Sequence, residues 1–268
     1  MIVRQRRYSV AISNMSMLRK KIKVRRKKGY VGVAVDGVAG FWRGWIWQIF
    51  KWVFLSVLIG AALSIVLVVM LRFVNPYMTY YFVSEKMRLG TIERDWTPLK
   101  EFSPVVARSV VAAEDANFCL HIGFDIEGIK SALADNGRLR GGSTISQQVA
   151  KNVFLWQGRT WVRKGLETWF TLLIEIFWSK TRIVEVYLNI TEMDEGVFGA
   201  AAAGRHYFGV EPNKISTLEA GRLAAVLPSP KKRSASIPTP FIKKQTRQII
   251  AGARMIEDDG RADCFENS

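Results

Sequence analysis

Adjacent carboxyls, Glu114-Asp115, close an apolar helical stretch and are followed by Phe118, His121 and Gly123. Acids at a helix end before a glycine turn can present one carboxylate in a cleft as a general base, although two solvated acids would read the same way. The segment GGSTISQQVAKN, residues 141–152, is more specific. Its glycines, among them Gly142, permit close backbone approach. Ser143 and Thr144 offer hydroxyls and free N–H groups at a helix start, an arrangement that suits an anion. Gln147 and Lys151 are four apart and share a helical face, with Gln148 and Asn152 beside them. A capped surface helix with a polar face is the plainer alternative. Next come Arg159, Arg163, Lys164 and Glu167. An intrahelical ion pair accounts for Glu167 at about 0.2–0.5 kcal/mol. The helix continues as FTLLIEIFW, however, and must bury most of its surface, so a carboxylate among cations there is a better functional candidate than a surface pair. Lys180, Glu185, Tyr187 and Asn189, in KTRIVEVYLN, read as structural from spacing alone.

The elements that must hold these residues read as helices. Ser103-Pro104 opens one, with Val105, Val106, Val110 and Ala113 as its apolar stripe. Asp125 can cap a second, IEGIKSALADN, stopped by Gly137. Thr144 starts a third, ISQQVAKNVF. Thr160 starts a long one through Trp178, and 182–189 form another. Ser216 and Glu219 make a capping box ahead of LEAGRLAAVL, which Pro228 ends. No strand or hairpin signal is convincing, so the expectation is one mostly α domain over 73–268.

In front of that domain, residues 52–71 run for twenty positions without a charge. As a helix this spans roughly 30 Å, the hydrocarbon thickness of a bilayer. The chain has 268 residues and net charge +16, and thirteen of its 39 Lys and Arg fall in residues 1–51 against one acid, Asp36. The positive-inside rule then expects a cytoplasmic basic segment (1–51), a spanning helix (52–72) and an outer domain. Trp42, Trp45, Trp47 and Trp52 would mark the inner boundary, and Phe73, Tyr77, Tyr80, Tyr81 and Phe82 the outer one. A basic run beside a span suits anionic headgroups better than nucleic acid, so no nucleic-acid partner is expected. At 49% hydrophobic and 12% aromatic the chain is no disordered or fibrous protein. Two cysteines exclude a disulfide scaffold, and no cluster has metal-ligand spacing. Cys119 is expected as a small buried thiol, and no bridge to Cys264 is expected.

Together these segments resemble the peptidoglycan glycosyltransferases of glycosyltransferase family 51, whose five blocks appear in order over about 113–228. They are E-D-x-x-F-x-x-H-x-G from Glu114 to Gly123, and G-x-S-T-I-x-Q-Q-x-x-K-N from Gly141 to Asn152. R-K-x-x-E runs from Arg163 to Glu167 and K-x-x-I-x-E-x-Y-L-N from Lys180 to Asn189. The fifth is Gly196-Val197-Phe198-Gly199 through Tyr207-Phe208. The resemblance implies a lysozyme-like α-helical fold and polymerisation of lipid II into β-1,4-linked glycan strands, with inversion and release of undecaprenyl pyrophosphate. It makes Glu114 the base that deprotonates the acceptor 4-hydroxyl and Glu167 the second acid. Lys151 and Arg159 would be cations at the pyrophosphate, with Arg163 and Lys164 close behind. Asp115, Phe118, His121, Gly142, Ser143, Thr144, Gln147, Gln148 and Asn152 would belong to the substrate site. It implies no organic cofactor, and it leaves room for a divalent cation, Mg or Mn, near the pyrophosphate, which Glu114 or Asp115 could help place. The implied partners are lipid II, the growing lipid-linked strand, the bilayer of the inner (cytoplasmic) membrane, and cell-wall synthesis or division proteins.

About forty residues follow Pro228, too few for a transpeptidase domain, so the monofunctional type is expected. The S-x-x-K match at Ser229–Lys232 is read as coincidence. A wall hydrolase on the same fold would not need the dense cations, and a scaffold would not need both acids.

Overall fold

The computed structural model describes residues 30–126, 130 and 142–266. The basic run 19–28 and most of the segment expected to form the helix after Asp125 lie outside the described residues. Helix α1, Tyr30–Leu71, contains a stretch, Gly44–Leu71, long and apolar enough to cross a membrane. Contacts divide the chain at Gly60, and the turns of α1 from Ala61 onward belong to the second unit. Within that unit Val68 and Leu71 join the core. Trp178 Nε1 donates to Val68 O at 2.8 Å. Arg182 donates to Leu71 O (3.0 Å) and Val74 O (2.9 Å), so a guanidinium satisfies carbonyls that the helix end leaves open.

The domain then runs as α2 (Tyr80–Leu89), β1 (Glu93–Arg94), α3 (Pro104–Glu114), α4 (Ile145–Phe154), α5 (Trp161–Phe177) and α6 (Lys180–Ile190). It continues as β2 (Glu192–Asp194), β3 (Val197–Phe198), α7 (Ala200–Phe208), α8 (Thr217–Val226), α9 (Pro240–Asp258) and α10 (Asp263–Glu266). Local chemistry sets many of the helix starts. Thr144 with Gln147 and Ser216 with Glu219 form capping boxes, while Thr79, Thr160, Ser179 and Thr239 accept from the first free N–H groups of α2, α5, α6 and α9. Helices α3, α8 and α9 pack on one another, and α4 packs on α5 and α6. Tyr187, Phe118, Phe198, Ile174 and Leu223 are fully buried in the continuous core.

Three features depart from the sequence reading. Short strands are present, in the order β1-β3-β2, with β1 parallel and β2 antiparallel to β3. At two or three residues each they carry no period to detect, and the parallel pairing joins segments about a hundred positions apart. Tyr81 and Phe82 do not sit free at a membrane boundary. They begin α2 and pack edge-on against Phe198, with Phe82 buried, whereas Tyr77 and Tyr80 are exposed. Third, Cys119 and Cys264 are joined by a disulfide, with Cα atoms 5.7 Å apart. The two are 145 positions apart in sequence and are brought together only when the C-terminal segment folds back beside the turn after α3.

Candidate active site

Glu114 is the last residue of α3 and Asp115 its C-cap. Gln148, one turn into α4, donates from Nε2 to Glu114 Oε2 at 2.8 Å and accepts from Tyr187 Oη at 3.3 Å. Burial raises the Glu114 pKa above the ordinary carboxyl value; the bond from Gln148 opposes this, Asp115 reinforces it, and Lys151 opposes it. The result is a carboxyl held in one orientation and made more basic than a solvated one.

Lys151 follows Gln148 on α4 and is half-buried. Burial lowers its pKa, Glu167 pulls it back up, Arg163 and Lys164 push it down, and Glu114 raises it. Lys151 therefore stands in the fields of both glutamates. On α5, Arg163 Nη1 reaches Glu167 Oε2 at 2.9 Å, and Lys164 Nζ reaches Oε1 at 2.5 Å. Glu167 is 3% exposed and Arg163 8%, so this pair is an internal one and not the surface pair its i,i+4 spacing would also allow. Because α4 packs on α5, the second and third motifs form one cluster: Lys151, Arg163, Lys164 and Glu167, with Glu114 across from Lys151.

Several expected site residues turn out to be framework. Asp115 is buried; its Oδ2 accepts from Ile145 N at 3.0 Å and its Oδ1 lies 2.8 Å from His121 Nε2. Thr144 accepts from Gln147 N and donates to Gly123 O (2.7 Å), while Gln147 Oε1 takes Thr144 N (3.0 Å). The Thr144 hydroxyl and the N–H groups of Thr144, Ile145 and Gln147 at the start of α4 are thus committed to holding that start against the Glu114–Gly123 turn. Phe118 is fully buried, with Lys180 Nζ 4.2 Å above its ring, and Asn152 is also buried. Gly142 and Ser143 are exposed beside the cap. Arg159 lies in the exposed connection between α4 and α5.

A layer behind the site was not read from the sequence. Glu175, on the inner face of α5, accepts from Ser146 Oγ and pairs with Lys180 Nζ at 2.9 Å, and Lys180 also donates to His121 O at 2.9 Å. The sequence signal was a lone acid inside FTLLIEIFW. Gly123 (φ 76°) lets the turn lie against α5, since a Cβ there would stand 2.7 Å from Thr171 Cγ2. Gly199 in the fifth motif is constrained likewise: a Cβ would meet the carbonyl oxygens of Leu188 and Asn189 at 3.1 Å. The fourth motif is structural as read. Asn189 accepts from Thr97 N and donates to Thr97 O, both at 2.8 Å, and Glu185 accepts from Leu99 N at 2.9 Å.

The transglycosylase family model matches residues 83–254, and thus takes in every element of this site. The chain belongs to the transglycosylase family. Relatives carrying the name biosynthetic peptidoglycan transglycosylase match over most of their length. That of Jannaschia sp. (strain CCS1) is 50% identical over 217 residues, 81% of this chain and 90% of the relative. That of Caulobacter vibrioides is 47% identical over 210 residues, 77% and 92%. That of Pseudomonas entomophila is 52% identical over 198 residues, 70% and 84%. The mostly helical architecture is the lysozyme-like one of this transglycosylase domain. The divalent cation that the family resemblance allows finds no ready protein site here. Among the described residues no three His, Cys, Asp or Glu are grouped for a metal, both Asp115 oxygens are taken, and one Glu114 oxygen holds Gln148.

Proposed function

We propose that this domain polymerises lipid II into β-1,4-linked glycan strands, releasing undecaprenyl pyrophosphate. The observation that carries the reading is a basic, oriented carboxyl, Glu114, facing a half-buried lysine that is backed by further cations. Glu114 takes the proton from the 4-hydroxyl of the acceptor's N-acetylglucosamine as that oxygen forms its bond to the anomeric carbon of the lipid-linked sugar. The bond to the diphosphate breaks on the opposite face, which inverts the centre. The leaving group departs as an anion, so it needs positive charge more than a strong acid. Lys151 supplies that charge, with Arg163 and Lys164 behind it and Arg159 free to swing in from its exposed connection. A cation preorganised in a site with little water stabilises developing negative charge far better than one in bulk solvent. Glu167 organises the cations: it pairs with Arg163 and Lys164 and favours the charged form of Lys151 against the effect of burial. A divalent cation would arrive with the diphosphate, as part of the substrate.

Placement at a bilayer suits a substrate whose tail is a lipid. On this reading residues 52–72 span the inner membrane, the basic 1–51 segment is cytoplasmic, and the domain from 73 onward lies outside. Residues Trp161, Val162, Trp169, Leu172 and Ile176 give α5 an exposed apolar face, and Trp169 Nε1 donates to Ser64 Oγ of α1 at 3.0 Å. That face is suited to a lipid surface. Strands would leave uncrosslinked, and cell-wall synthesis or division proteins would recruit the enzyme.

The test is labelled lipid II with detergent-solubilised protein, product resolved on a gel, wild type beside Glu114→Gln. A ladder of lipid-linked strands, lost in the variant, is expected. Fragments released from purified sacculi in place of a ladder would mean a wall-cutting enzyme and overturn the proposal.

A further inference from the structure

The segment after α9 lies beyond the region matched to the family, which ends at 254, yet it is fastened to the turn that follows the proposed base. Three contacts make the fastening, and a fourth ties the same segment to α3. Cys264 is bonded to Cys119, in the middle of the short helical turn Phe118–Leu120. Arg261 donates from Nη1 to Ala116 O (3.2 Å) and Asn117 Oδ1 (3.3 Å), its guanidinium oriented by Asp259 at 2.7 Å. Phe265 is buried, with its ring centroid 6.5 Å from that of Phe118. Arg108, on α3, pairs with Glu257 and, at 2.9 Å, with Glu266. They add to the holds on residues 116–123 made from the other side, by Asp115 on His121, by Lys180 on His121 O, by Phe118 in the core and by Gly123 O on Thr144.

We propose that residues 259–266 are a strap that positions the catalytic turn, and that the Cys119–Cys264 bond makes its grip depend on redox state. Cys119, Arg261 and Cys264 are positioning residues, each acting through the turn that follows Glu114. The bond forms by thiol–disulfide exchange. One cysteine thiolate attacks the disulfide of an oxidising protein, and the other then displaces that protein. Two protons and two electrons leave the cysteines, and the oxidant departs as a dithiol. A reducing dithiol runs the exchange backwards. The strap is therefore closed on the oxidising side of the membrane, where the proposed function puts the domain, and open in a reducing compartment.

This inference rests on the proposed polymerase reading, and the experiment separates the two. Full-length protein in detergent is assayed on lipid II before and after dithiothreitol, with free thiols counted and far-UV circular dichroism recorded. No polymer from the oxidised wild type would defeat the function reading and leave the bond itself to be read from a non-reduced digest. If polymer forms, reduction is expected to lower kcat about ten-fold or more, because small misplacements of a catalytic group are costly. KM should stay within about two-fold, because the substrate-binding cations are untouched. The acid limb of the kcat–pH profile should move to lower pH as the loosened turn hydrates Glu114. Cys264→Ser should reproduce the reduced enzyme and be indifferent to dithiothreitol. Should that variant fail to fold, Arg261→Met, with the bond intact, carries the test: a partial loss of kcat with the same shift of the acid limb, recovered in part by Arg261→Lys. A non-reduced digest without the 119–264 crosslink, or a fully reduced enzyme with unchanged kcat and acid limb, would overturn the proposal.

Discussion

Replacing Glu167 with Gln removes one charge from the centre of the cation cluster while keeping an acceptor for Arg163. Two effects follow, and both can be sized. The Arg163–Glu167 pair has side chains 10% and 4% exposed, so the variant leaves a guanidinium largely out of water without its counter-ion. Breaking a buried pair costs about 3–5 kcal/mol, and the retained acceptor points to the low end, about 3 kcal/mol. Lys164 is 45% exposed and its share is screened by water, so it adds little. For a domain of this size that loss lowers Tm by about 6–12 °C. The second effect is on Lys151, whose pKa burial already lowers and Glu167 holds up. Without Glu167 the amine loses its proton at lower pH, so the basic limb of the polymerisation profile moves toward neutrality. Thermal unfolding and lipid II polymerisation across pH measure both. A Tm within about 2 °C of wild type, together with an unmoved basic limb, would refute the assignment of Glu167 as organiser of the cations.

Glu114→Gln should cut polymerisation by about 10²–10⁴-fold, the range of a positioned general base. It should also stabilise the fold at neutral pH. A carboxyl whose folded pKa is raised binds protons more tightly in the folded state, so wild-type stability falls as pH rises from about 4.5 through the folded pKa. The Tm gain of the variant should therefore shrink on acidification, which scanning calorimetry at several pH values would register. Gln148→Ala removes the bond that opposes the rise in Glu114's pKa, so the acid limb should move to higher pH and activity should fall more at pH 6 than at pH 8. Lys151→Ala should depress kcat strongly with unchanged helix content by circular dichroism; unaltered kinetics would place the diphosphate elsewhere. Cys264→Ser should lower stability by about 2–5 kcal/mol, read as a shift of the urea midpoint.

Much was legible locally. Apolar length identified the part of α1 from Trp52 onward, although the helix begins at Tyr30, and capping letters fixed the starts of α4, α5 and α8, because a cap and the helix it starts are chain neighbours. The motif letters named Glu114, Lys151 and Glu167, and the fold places Lys151 in the fields of both glutamates. What the letters did not separate is chemistry from support. Asp115, Thr144, Gln147 and Phe118 sit in the same motifs as Glu114 and Lys151, yet both Asp115 oxygens, the Thr144 hydroxyl and Gln147 Oε1 have partners in the framework, and the Phe118 ring lies in the core. A donor is free or taken only once its partner, from another helix, is in place.

By itself, then, the chain determined that α3, α4, α5, α6 and α8 are helices, which stretch suits a bilayer, and which charged residues stand one helical turn apart, but it left α2 and α9 unread. Tertiary structure decided the rest. It put α4 against α5, so that Lys151 stands in the fields of two glutamates, and it buried Glu114 enough to make it basic. It also carried Cys264 back to Cys119 across 145 positions. Helix-forming signals act within about four residues, whereas burial, field and crosslink depend on which distant segments share the same space.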